Sequence, residues 1–203
     1  MKIALIGFTG NVGTRVVAEA LTRGHEVTGI SRHPENAAAK PGLTPTRGDA
    51  GDPAALAPLL AGHDAVVSST RFQGADPRNL IGAVRKSGVK RLIVVGGAGS
   101  LEVAPGVALV DTAEFPAAYK PEALAGRDFL NALRAEAALN WTFFSPAAFF
   151  GPGPRTGKFR LGGDRLIVGA DGQSRLSMED YAIALLDELE SPKHPRGRFT
   201  AGY

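Results

Sequence analysis

Three glycines, Gly7, Gly10 and Gly13, stand three residues apart in the segment GFTGNVG, directly after the apolar run KIALI. A loop with so few side chains lets backbone N–H groups approach a bound group closely. A helix beginning there adds unpaired amides and a partial positive charge. That combination suits an anion such as a pyrophosphate. Gly7, Thr9, Gly10, Asn11, Val12 and Gly13 are therefore the first candidate binding residues. Between a strand and a helix the three glycines take separate jobs: a tight turn, close backbone approach and close helix–sheet packing. The loop lacks the Gly-Lys-Ser/Thr ending of a nucleoside-triphosphate site.

The next chemically informative stretch is ISRHP, residues 30–34. A dinucleotide site that prefers NAD places Asp or Glu at the end of its second strand, to bond the ribose 2′-hydroxyl. Here that place holds Ser31, Arg32 and His33, with no acid. A guanidinium at this point grips a 2′-phosphate instead. At about 1.5–3 kcal/mol per charged hydrogen bond, Arg32 favours NADP(H) over NAD(H) by roughly ten- to a hundredfold. His33 either assists or stands by. In RGDAGD, residues 47–52, Asp49 and Ala50 are placed to face an adenine ring, while Asp52 caps the helix that follows at Pro53. Ser68, Ser69 and Thr70, after the fourth strand, lie where the ribose and nicotinamide would rest.

The elements that must position these residues alternate. Strands are expected at 2–7, 26–31, 44–49, 64–70, 91–97 and 140–146. Helices are expected at 12–23, from 53 to Gly62, at 77–86 and around 122–138. Short apolar strands interleaved with helices indicate a doubly wound parallel α/β sheet covered on both faces. Arg85 and Lys86 suit the end of a helix, where cations complement its dipole. After Pro146 a loop and a hairpin turning at Gly162-Gly163 are expected. A capping box, Ser177 with Asp180, then opens a helix running to about Glu190, and RGRFTAGY forms a last strand. The 203 residues read as one domain, a cofactor-binding core at 1–150 with a small substrate-side portion at 151–203. Residues 98–120 give no helix or strand signal, and an apolar loop there, just past a strand end, could cover a ligand.

Composition narrows the class. With no cysteine, disulfides and thiolate chemistry are excluded. The four histidines, His25, His33, His63 and His194, lack ligand spacing, so no metal site is expected. A net charge of +3, from 23 basic and 20 acidic residues without a dense basic run, argues against nucleic acid as a partner. No apolar stretch suits a membrane span, and no secretory signal is visible, so a cytoplasmic protein is expected.

GFTGNVG, the Arg32 ending, GDAGD, VVGGAGS, FFSPAAF and the closing LIVGADGQSRLSMEDYAIALLDELE together resemble the atypical short-chain dehydrogenase/reductases with an NAD(P)H-binding, NmrA-like Rossmann domain. The likeness is greatest to small members related to biliverdin-IXβ/flavin reductase, and it covers essentially the whole chain. It implies an NADPH-dependent oxidoreductase passing hydride to a small planar acceptor, of flavin or quinone type, as a monomer or homodimer. It also implies that the backbone of Ser145, Pro146 and Ala147 holds the nicotinamide carboxamide. Phe149 and Phe150 either wall the acceptor pocket or belong to the core. The Tyr-x-x-x-Lys pair of most such enzymes, in which lysine lowers the tyrosine pKa, is absent: Ala123 follows Tyr119 by four, and Leu185 follows Tyr181. Gly97 stands where the flavin-reductase relatives have serine, and Ser100 is the nearest hydroxyl. Ser100, Tyr119 and Lys120 are the candidate catalytic residues. Two other functions stay open, an NADP(H)-sensing module without turnover and a sugar-nucleotide epimerase or dehydratase.

Overall fold

The computed structural model describes residues 1–38 and 40–203. In chain order the elements are β1 (Lys2–Ile6), α1 (Asn11–Thr22), β2 (Glu26–Ser31), β3 (Leu43–Arg47), α2 (Pro53–Leu60), β4 (Ala65–Ser68), α3 (Pro77–Ser87), β5 (Arg91–Val95), β6 (Glu102–Ala104), β7 (Val107–Ala108), α4 (Lys120–Arg134), β8 (Asn140–Ser145), β9 (Phe149–Gly151), β10 (Arg160–Gly162), β11 (Arg175–Ser177), α5 (Met178–Glu190) and β12 (Gly197–Gly202). Eight strands form one sheet in the order β10-β12-β8-β5-β4-β1-β2-β3, parallel throughout except for β10. The order reverses between β1 and β4, which opens a crevice at their C-terminal ends.

The central strands are apolar because both faces are covered. All four residues of β4 and all five of β5 are buried. On one face α1 and α5 pack Val16, Val17, Tyr181 and Leu185 against Leu5, Val67 and Phe144. On the other, α2, α3 and α4 bring Leu56, Leu80, Val84 and Phe129 against Ile6, Val66 and Phe143. The edge strand β3 tolerates Pro45, which offers no N–H to a ladder. Local capping places the helices: Asp52 accepts from the amides of Ala54 and Ala55, and Asp76 from that of Arg78. Arg85 and Lys86 occupy the last turn of α3. No helix among the described residues is long and apolar enough to cross a membrane.

Three expectations are corrected. Residues 98–120 are ordered into a ribbon of β6 and β7, followed by two short 3-10 turns. The ribbon is closed by bonds from the Val110 amide to Gly99 O and the Leu109 amide to Leu101 O, which no helix or strand period announces. The hairpin at Gly162-Gly163 does not form. β10 pairs with β12, and the chain beyond turns away to β6, where the Glu102 amide bonds Asp164 O and the Leu166 amide bonds Glu102 O. The last strand thus supplies the partner that a hairpin would have supplied. The capping box at α5 is half formed. Ser177 Oγ accepts from the Asp180 amide at 3.0 Å, but the Ser177 amide donates to Tyr203 Oη at 3.1 Å. Asp180 is fully buried and instead accepts from the Thr156 and Gly157 amides and from the Thr156 and Tyr203 hydroxyls. This pins the otherwise irregular 152–158 segment across the start of α5.

Candidate functional site

The glycine loop meets the crevice where the strand order reverses. Gly7 has φ +81° and lies against the β4 end, so a Cβ there would come 2.3 Å from Ser69 O. Gly13, in the first turn of α1, lies so close to the loop that a Cβ would fall 2.3 Å from Gly7 O and 2.8 Å from Phe8 Cα. Both glycines keep backbone against backbone. Gly10 is the N-cap of α1, with no side-chain cap bond and no acid in the first turn. The leading amides of α1 are therefore left for an anion, with a cradle that side chains would fill. The residues present fit a dinucleotide pyrophosphate.

Beside the glycine loop lie the C-terminal ends of β2 and β3. Arg32 and His33 follow β2, both exposed, and His33 Nδ1 lies 3.1 Å from Glu35 Oε1. The Ser31 hydroxyl is buried without a hydrogen-bond partner among the described residues. Asp49 Oδ1 accepts from the Gly51 amide at 2.8 Å, so Asp49 shapes the turn after β3, and Ala50 is half-buried against the α2 side of the core.

At the end of β4 Ser68 is buried, with its Oγ 3.2 Å from Thr70 Oγ1, and Ser69 donates its amide to Ile6 O. Glu122, in the first turn of α4, accepts from the Phe72 and Gln73 amides at 2.8 and 2.9 Å. That bond draws the start of α4 to the β4 loop and sets Tyr119 and Lys120 at the same edge of the sheet. Tyr119 is 68 % exposed. The helix begins at Lys120, two residues earlier than its expected start. Ser145, Pro146 and Ala147 are buried at the end of β8. Phe149 is 63 % exposed, whereas Phe150 packs on Tyr181 with ring centroids 4.9 Å apart.

Ser100 is drawn elsewhere. Arg198 on β12 donates through Nη1 to Ser100 O at 2.8 Å and to Ser100 Oγ at 3.0 Å, and its Nε bonds Asp164 at 2.8 Å. The hydroxyl is thus engaged by a buried guanidinium. Tyr181 is fully buried, stacked 3.9 Å from Phe144, and donates to Phe144 O; burial pushes its phenol well up, so it has a packing role. Sequence reasoning missed the Ser100–Arg198 contact and Thr200, whose buried hydroxyl lies in register with that of Ser145. Neither of those hydroxyls has a partner among the described residues. A cavity of about 530 Å³ lies at the opposite edge, around Lys2, Thr28, Thr44 and His63. His63 there is satisfied by Leu60 O and Thr28 Oγ1, and none of the candidate residues lines it.

Comparison with known proteins agrees with this geometry. The NAD(P)H-binding family profile matches residues 7–190. The uncharacterized protein YwnB of Bacillus subtilis is 42 % identical over 98 % of this chain and 97 % of its own. A solved structure from Bacteroides thetaiotaomicron, named for an inferred epimerase, is 44 % identical with TM-score 0.95, covering 100 % of this chain and 96 % of that one. Another from Streptococcus pneumoniae, named for an inferred NADH-flavin reductase, is 36 % identical with TM-score 0.82, covering 100 % and 99 %. The profile spans most of the chain and includes the glycine loop and the edge it serves: this chain belongs to the NAD(P)H-binding family of Rossmann-fold proteins related to the atypical short-chain dehydrogenase/reductases.

Proposed function

We propose that the chain is an NADPH-dependent oxidoreductase acting on a small planar acceptor of flavin or quinone type. The observation that carries this reading is the edge at the strand reversal: a glycine cradle before an uncapped helix, with Arg32 and no carboxylate directly after β2. The α1 amides would bind the pyrophosphate, Arg32 the 2′-phosphate, and Asp49 and Ala50 would back the adenine. Ser68, Ser69 and Thr70 would run beneath the ribose and nicotinamide, with the Ser145–Ala147 backbone holding the carboxamide. A bound reduced nicotinamide supplies hydride. The reduced form of a planar acceptor takes its proton from water, which suits an edge without a Tyr-x-x-x-Lys pair and with the Ser100 hydroxyl already engaged. The protein's part is then positioning, with exposed Tyr119 and Phe149 at the acceptor end.

The same engagement of Ser100 favours a second reading, an NADP(H)-binding module without turnover. An epimerase or dehydratase lacks its proton-transferring pair here. We place the protein in the cytoplasm, as a monomer or homodimer whose partner is a small molecule rather than nucleic acid or membrane.

Calorimetric titration with NADPH and NADH, on wild type and Arg32→Ala, tests the cofactor. The expected result is at least roughly tenfold tighter NADPH binding, erased by the substitution. Equal binding of the two cofactors by wild type would sink the NADP assignment. Steady acceptor-dependent oxidation of NADPH then separates a reductase from a module that only binds.

A further inference from the structure

A 2′-phosphate monoester carries about −1.5 to −2 charges at neutral pH and three acceptor oxygens. One guanidinium satisfies only part of that. The structure places a second arginine at the same corner. Arg47, the last residue of β3, is the register partner of Ser31, the last residue of β2. Register partners of neighbouring strands project to the same side of a sheet, with the strands roughly 4.8 Å apart. The two strand ends are locked together, because the Gly48 amide donates to Ser31 O at 3.0 Å. Ser31 Oγ is buried and has no partner among the described residues, so a bound oxygen would satisfy it.

Arg47 is exposed on the edge strand. Its charge reaches Glu35, whose carboxylate is bonded to His33. The Glu35 carboxyl is held below its ordinary value first by its own backbone amide and then by His33, with Arg47 contributing least. Glu35 bonds His33, and no hydrogen bond or ion pair joins it to Arg47 among the described residues.

We propose that Arg47 and the Ser31 hydroxyl form the second half of a 2′-phosphate clamp, so that two strand ends, not Arg32 alone, discriminate NADP(H) from NAD(H). This rests on the NADP reading of the site. Arg32 reaches the phosphate from the loop after β2 and Arg47 from β3, with Ser31 between them. Paired guanidinium forks suit such a group better than a single charge does.

The test is calorimetric binding of 2′,5′-ADP (adenosine 2′,5′-bisphosphate) and of 5′-AMP, which differ only in the 2′-phosphate, to wild type, Arg32→Ala, Arg47→Ala, Arg47→Lys and Ser31→Ala. Arg47→Ala is expected to weaken 2′,5′-ADP by roughly tenfold while 5′-AMP changes less than about twofold. Arg47→Lys should recover part of the loss. Ser31→Ala should lower only 2′,5′-ADP affinity. The clamp is wrong if Arg47→Ala weakens both probes equally or neither. If Arg32→Ala erases discrimination while Arg47→Ala keeps it, the NADP reading stands and the clamp falls. If wild type does not distinguish the two probes, the NADP reading fails first. Melting temperatures near that of wild type would show that these exposed-edge variants fold.

Discussion

Replacing Gly13 by alanine sets two well-characterised effects against each other. In a helix interior, Gly→Ala ordinarily stabilises by about 1 kcal/mol, because alanine loses less conformational entropy. Here the added Cβ would sit 2.3 Å from Gly7 O, 2.8 Å from Phe8 Cα and 2.9 Å from Phe8 C. Those are backbone atoms, so no rotamer change relieves the overlap. Either α1 lifts from the sheet or the loop moves, and α1 is also packed against α5 through the core. Overpacking costs about 1–3 kcal/mol, and three backbone overlaps put this one at the upper end, about 2–3 kcal/mol. Against the propensity gain, the net expectation is a loss of about 1–2 kcal/mol. For a domain of this size that lowers the melting temperature by about 2–8 °C.

Cofactor affinity should fall further than stability, since the displaced atoms are the amides that would contact the pyrophosphate. Gly10→Ala is the internal comparison. Its Cβ would meet only Gly7 O, at 3.3 Å, and its φ of −73° is open to any residue. It should lose clearly less. Thermal unfolding with and without NADPH reads both effects. A Gly13→Ala protein as stable as wild type, with undiminished NADPH binding, would refute the claim that this glycine sets the helix–sheet spacing.

Other outcomes follow from the same contacts. Burial alone would raise the Asp180 carboxyl, but bonds from Thr156, Gly157 and Tyr203 outweigh it and hold its pKa below the ordinary value. Its stabilisation is then complete above about pH 4, the unfolded value, and is lost as the pH falls through the lower folded value. Asp180→Asn should therefore destabilise at pH 7, by about 1.5–3 kcal/mol for lost charged bonds, and flatten the acid limb of a stability–pH curve. Arg91 and Glu188 form a buried pair at 3.0 Å. Arg91→Met should cost about 3–5 kcal/mol in urea unfolding, and the double substitution Arg91→Met/Glu188→Met less than either single one if the cost lies in the stranded charge. Tyr119→Phe should leave turnover with a quinone acceptor within about threefold, whereas a loss of about a hundredfold would make the phenol a proton donor.

Much of the fold was legible because its determinants are local. The glycine spacing, the apolar strands and the caps at Asp52 and Ser177 each act within a few residues, so the sequence alone sufficed to specify a doubly wound sheet with a glycine loop and an uncapped helix start after β1. The absence of an acid beside Arg32 was equally local. What tertiary structure decided lies between residues far apart in the chain. Arg198 reaches Ser100 across 98 positions, and Arg47 faces Ser31 only because β2 and β3 pair in one register. Tyr203 takes the place of the capping-box carboxylate at α5, and β12 takes the strand partner that a hairpin would have used. Register and strand order are set by which apolar faces can be buried together over the whole chain, and no window of neighbouring residues contains that balance.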